Sequence, residues 1–168
     1  MVSIDTKYVD VPMGSGIIVM SHTTEVKRKE SRTEIQTYLD RLHYALSNGY
    51  AKINFQNVRR VDKQRNKRYT NRYAMGQLFP NEDEVVALKR ELSCLTVEEY
   101  METIKDTRFL NRSEMRVFGR KYSGDDVYIK IRVELVDSLI GGGDCIFVMS
   151  FHYSERDFKE SDFPYKKV

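Results

Sequence analysis

The sequence predicts an α+β fold, a central antiparallel sheet with helices packed on it. Four observations carry that expectation. Val127, Ile129, Ile131, Val133 and Leu135 alternate strictly with Asp126, Tyr128, Lys130, Arg132 and Glu134, the period of a strand with one buried and one wet face. Cys145–Phe151 is almost continuously apolar, as a strand covered on both faces would be. Between them, the three glycines of Asp137–Asp144 permit a chain reversal. Ahead of this hairpin, sequences of capping-box type open stretches whose apolar residues recur at helical spacing.

Residues 1–24 hold two glycines and a proline without a clear period. Residues 1–30 are read as a flexible arm, with Met20 a second candidate initiator, and 31–168 as one domain. Ser31-Arg-Thr-Glu34 caps a helix whose Ile35, Tyr38, Leu39, Leu42, Ala45 and Leu46 share one face. Asn48-Gly49 suits a left-handed helix end, and Ala51–Phe55 alternates as a short strand. A basic insert spans 56–80 and lacks a helical apolar face, so it is expected as an exposed ribbon or long loop. Asn81, followed by Glu82, Asp83 and Glu84, should cap a helix that buries Val85, Leu88 and Leu92. Thr96-Val-Glu-Glu99 should open a shorter helix with Tyr100, Met101 and Ile104 inward. Arg108–Ser113 is a connection, and Met115–Tyr122 a strand turning through Ser123-Gly124-Asp125 into the alternating one. In the tail from Ser154 to Val168, Phe158, Phe163 and Tyr165 are the expected anchors.

Of the 168 residues, 40% are hydrophobic and 32% charged, a balance that excludes a disordered chain. No run is long and apolar enough for a membrane span, and Gly16–Met20 is too short for a signal peptide. Cys94 and Cys145 sit in apolar patterns without metal-ligand spacing, so buried free thiols in a reducing cytoplasm are expected. The net charge of +3 is modest, but its distribution is not even. Arg59, Arg60, Lys63, Arg65, Lys67, Arg68 and Arg72 face a single acid, Asp62, within fourteen residues. That is a local footprint for a phosphate backbone.

Several chemistries have no support in the sequence. His22, His43 and His152 are scattered, neither His-Glu-x-x-His nor Cys-x-x-Cys occurs, and no metal or cofactor is expected. Met13-Gly-Ser-Gly16 lacks the lysine of a phosphate-cradling loop, and there is no nucleophile elbow. Glu98-Glu99 belongs to a cap. Metal-free RNA cleavage needs less equipment: a base for the 2′-hydroxyl, positive charge for the phosphorane, and an acid for the leaving 5′-oxygen. Tyr128, Lys130, Arg116, Arg120 and His152 on a rigid sheet can supply these, provided their strand faces coincide.

Leu95–Glu102, Arg116-Val-Phe118, Val127–Val133 and Val148–His152, with the helix and short strand before them, resemble the MqsR toxins. These are RelE-like mRNA interferases of bacterial toxin–antitoxin systems. The resemblance covers roughly 35–55 and 85–152. It implies a RelE-like fold, metal-independent endoribonuclease activity, RNA as substrate and a cognate antitoxin protein as partner. The family's catalytic tyrosine falls on Tyr128 and its last-strand lysine on His152. Its helix lysine falls on Glu102 and its glutamine on Met115, two departures in chemistry, and the insert has no counterpart. Two other classes fit the same residues: a non-catalytic nucleic-acid-binding protein using Arg59–Arg72, and a regulatory protein binding another protein through its tail and basic loop.

Overall fold

The alternating segment around which the chain is expected to fold is the longest strand of a six-stranded sheet. The computed structural model describes residues 24–49, 51–134 and 143–167. In chain order the elements are β1 (Glu25–Arg28), α1 (Arg32–Ser47), β2 (Lys52–Phe55), α2 (Asn71–Leu78), α3 (Glu84–Ser93), β3 (Tyr100–Asp106), β4 (Met115–Tyr122), β5 (Asp125–Glu134) and β6 (Cys145–Tyr153). The sheet order is β1-β3-β4-β5-β6-β2. Every pairing is antiparallel except that of β2 with β6, which is parallel. The architecture is therefore α+β, with β5 central. Most of the segment between β5 and β6, where the three glycines are expected to reverse the chain, lies outside the described residues, and Met13–Gly16, Met20 and His22 lie wholly outside them.

One face of the sheet carries the helices. Val127, Ile129 and Ile131 of β5 and Ile146, Val148 and Phe151 of β6 join Ile35, Leu39 and Leu42 of α1, Ala74 and Met75 of α2, and Leu88 and Leu92 of α3 in one fully buried cluster. Burial of each large aliphatic side chain there stabilises the fold by about 1.5–3 kcal/mol. The α1 cap forms as its sequence implies, with Ser31 Oγ accepting from the Glu34 amide and Glu34 accepting from the Ser31 amide. Gly49 follows the helix with φ 77°.

Five expectations are corrected. Thr96–Glu99 makes only a 3-10 turn before Tyr100–Asp106 enters the sheet as β3. Tyr100 and Ile104 are buried as expected, but between β1 and β4. Two ready pairing edges satisfy more backbone groups than a short helix can, and tertiary context overrides the local cap signal. The insert is not an exposed ribbon or loop: it winds through two 3-10 turns, Arg60–Gln64 and Lys67–Tyr69, into α2. Thr70 caps α2, and Asn71, Ala74 and Met75 form its buried face, too short a pattern to read without its partner β6. The third helix begins two residues later than expected, capped by Asp83 rather than Asn81, and leaves Val85 exposed. Cys94 is exposed and Cys145 half-buried, so neither is a core thiol. Within the segment expected as an arm, residues 25–28 form edge strand β1 and Glu30 is buried, while 1–23 lie outside the described residues.

Candidate functional site

The strand register sorts the chemistry-bearing side chains by face. On β4, Phe118 pairs with Ile129 and Arg116 with Ile131, whereas Val117 pairs with Lys130 and Gly119 with Tyr128. On β6, Ser150 pairs with Lys130 and His152 with Tyr128. Tyr128, Lys130, Ser150 and His152 thus share the face away from the helices. The register passes from Lys130–Ser150 to Ile131–Val148, leaving Met149 as an extra residue, a β-bulge that kinks the edge of this face.

Half of that face is covered by the tail. Phe158 and Phe163 pack edge-to-face, 5.7 Å between ring centres, over Met101, Ile104 and Val117. They come so close to Gly119 that a Cβ there would lie 2.6 Å from Phe158 Cε2. The insert bounds the other side. Asn71 anchors it: Nδ2 donates to the carbonyls of Gln56 (2.7 Å) and Met149 (2.9 Å), and Oδ1 accepts from the Phe151 amide at 2.9 Å. The Asn71 side chain therefore continues the ladder where β2 ends and satisfies the bulge. What remains is a groove of about 520 Å³ lined by Lys27, Arg59, Arg65, Glu102, Lys130, Ser150 and the aromatic pair, with Met101, Met149 and Phe158 as its apolar wall.

Tyr128 and His152 stack across the strands, 5.6 Å between centres and 24° between planes. The imidazole is only 6% exposed, and burial, with Arg65 and Arg59 nearby, holds its pKa below the usual histidine value against the opposing bond to Tyr153. That bond, 2.8 Å from Nδ1 to the Tyr153 carbonyl, assigns the tautomer: a carbonyl only accepts, so Nδ1 carries the hydrogen and Nε2 keeps its lone pair. Burial, reinforced by Glu102 and Glu25, raises the Tyr128 phenol above its ordinary value, so it stays protonated. Lys130, 8% exposed, meets Glu25 at 3.3 Å. Lys27 pairs with Glu102 at 3.3 Å.

Three of the five expected catalytic residues converge, namely Tyr128, Lys130 and His152. Arg116 and Arg120 do not join them, because their odd register places them on the helix-bearing face. Arg116 grips buried Glu30 with two bonds of 2.9 Å, and Arg120 grips Glu99 and the Cys94 carbonyl. The expected nucleic-acid-binding cations also divide. Arg59 and Arg65 enter the groove. Arg68 lies 4.5 Å over the Tyr153 ring and pairs with Asp125 at 3.0 Å. Arg60, Lys63, Lys67 and Arg72 are exposed and form no ion pair among the described residues. Ser150 and the Met149 bulge had no signal in the sequence; only the ladder reveals them. Met115 is buried at the start of β4 and does not line the groove.

Fold and site together define an α+β protein with a cationic groove on the open face of its sheet. Among the described residues no three His, Cys, Asp or Glu side chains cluster to hold a metal ion, and no helix is long and apolar enough to cross a membrane. Comparison with protein-family models, with curated proteins and with solved structures finds no match to this chain.

Proposed function

We propose that the protein is a metal-independent endoribonuclease, an mRNA interferase-like toxin of RelE-like fold that acts in the cytoplasm and is restrained by a cognate antitoxin protein. The observation that carries this reading is the stacked Tyr128–His152 pair, with an unprotonated Nε2 in a groove that also holds Lys130, Arg59 and Arg65 among its cations. In the proposed reaction Nε2 takes the 2′-hydroxyl proton and the 2′-oxygen bonds to phosphorus. The bond from phosphorus to the 5′-oxygen breaks, and the imidazolium returns the proton to that oxygen. A 2′,3′-cyclic phosphate and a 5′-hydroxyl result. Tyr128, kept protonated, donates a hydrogen bond to the phosphate, and Lys130 offsets its growing charge.

The test is cleavage of a mixed-sequence RNA in excess EDTA. His152→Ala should lose about 10² to 10⁴ of the rate while keeping its fold, and Tyr128→Phe should lose less. No cleavage by the unaltered protein defeats the enzyme reading; full cleavage by His152→Ala defeats the site. One observation favours a second reading, a non-catalytic RNA-binding protein. Glu102, which stands where the resembling toxins carry a lysine, lies in the groove and is tied to Lys27.

A further inference from the structure

The two arginines that the insert sends into the groove differ in their partners. Arg65 Nε meets the Glu155 carboxylate of the tail at 3.2 Å, and that carboxylate is 58% exposed. Arg59 is half-buried and forms no ion pair among the described residues. Its guanidinium donates to Ser150 Oγ at 3.3 Å. Its own amide is tied to Asp62 Oδ2 at 2.8 Å, which fixes the backbone from which the side chain reaches inward. Ser150 is itself buried. An oxygen that accepts from Arg59 still has its O–H to donate.

A half-desolvated guanidinium that feels Asp62 and Glu25 only at longer range, with no carboxylate in direct contact, is costly, and the cost is relieved by an anion that completes the site. Beside Ser150, the Arg59 and Arg65 guanidiniums outnumber the one carboxylate in contact with them, that of Glu155, an excess of positive charge that suits a phosphodiester monoanion. Arginine's planar fork and a hydroxyl donor suit phosphate oxygens in particular.

We propose that Arg59, Arg65 and Ser150 form a phosphate pocket for single-stranded RNA, in which Glu155 is the resting counter-ion of Arg65 and is displaced when the strand binds. The pocket deepens the ribonuclease reading, since it would seat the phosphate beside Tyr128 and His152. Its binding function is nevertheless separable from cleavage. Glu155, carried by the tail next to strand β6, makes the empty groove less attractive to anions and opens by rotation of one exposed side chain.

The experiment measures fluorescence anisotropy of a labelled single-stranded oligodeoxynucleotide at low salt, a strand that lacks the 2′-nucleophile and so reports binding alone. Arg59→Ala should weaken binding about ten- to a hundredfold and Ser150→Ala several-fold, in keeping with the loss of charge-assisted and neutral hydrogen bonds respectively. Glu155→Gln should tighten it by about three- to fivefold, the scale of an exposed ion pair. Thermal melting of each variant checks the fold, and Glu155→Gln alters only the exposed rim, so it carries the test even if Arg59→Ala melts early. Arg59-dependent binding without any RNA cleavage by the unaltered protein would keep the pocket and end the ribonuclease reading. Binding unchanged in a folded Arg59→Ala, or weakened in Glu155→Gln, overturns the pocket whether or not RNA is cut.

Discussion

At the scale of single residues, the site depends on how burial sets protonation. The His152 imidazole is neutral at rest because desolvation and the positive fields of Arg65 and Arg59 outweigh the stabilising bond to the Tyr153 carbonyl. If neutral Nε2 is the base, the acid limb of the pH–rate profile must lie below the ordinary imidazole pKa of about 6.5. Cleavage should then persist at slightly acidic pH and fall only as the pH drops through the lowered value. A limb above the ordinary value would contradict this assignment. Arg116 illustrates the opposite use of a cation. Burial opposes the Glu30 charge, yet hydrogen bonds from Arg116 and Thr103 outweigh it and hold that carboxyl below its usual range. The stabilisation from Glu30 is therefore complete above the unfolded carboxyl pKa, roughly 4.3, and is lost as the pH falls through the folded value. Arg116→Ala strands a buried carboxylate and should cost about 3–5 kcal/mol in urea denaturation. A loss of a few tenths would place Arg116 back among groups free to serve a substrate.

At the scale of elements, the insert and the tail turn a sheet face into a groove. The insert is held by Asn71, whose three bonds reach two carbonyls and one amide that β2 no longer serves. Asn71→Ala removes all three and leaves those backbone groups unpaired, at about 1–3 kcal/mol for each that water cannot reach. Stability should fall by roughly 3 kcal/mol or more, and RNA affinity should fall with it, because Arg59 and Arg65 depend on where the insert docks. A variant that is destabilised yet binds RNA as before would separate the anchor from the groove. The tail contributes through Gly119. The lack of a side chain there admits Phe158, Phe163 and Met101, and their cover makes Tyr128 a partly buried residue rather than an ordinary surface one.

At the scale of the whole molecule, the basic residues form two surfaces, one inside the groove and one outside it. Arg60, Lys63, Lys67 and Arg72 remain exposed on the outer side. If about four cations of the insert each neutralise a phosphate, log affinity for single-stranded RNA should fall with log salt at a slope near −3. Replacing these four by alanine should flatten the slope in a filter-binding titration, and an unchanged slope would move RNA off this surface. The sequence alone determined the first helix and its cap, the alternation of β5, the apolar run of β6 and the pairing of β4 with β5, because each is written in local periodicity or turn chemistry. It also singled out Tyr128, Lys130 and His152 as polar residues of one hairpin. Tertiary structure decided the rest. Whether Tyr100–Asp106 is a helix or a strand depended on the free edges of β1 and β4, and whether 71–78 is helical depended on a β6 surface far away in sequence. The register of β4 against β5 sent Arg116 and Arg120 to the opposite face from Tyr128. A bulge at Met149 and the distant Asn71 brought Arg59 and Arg65 into the groove, a convergence of long-range contacts that no local pattern records.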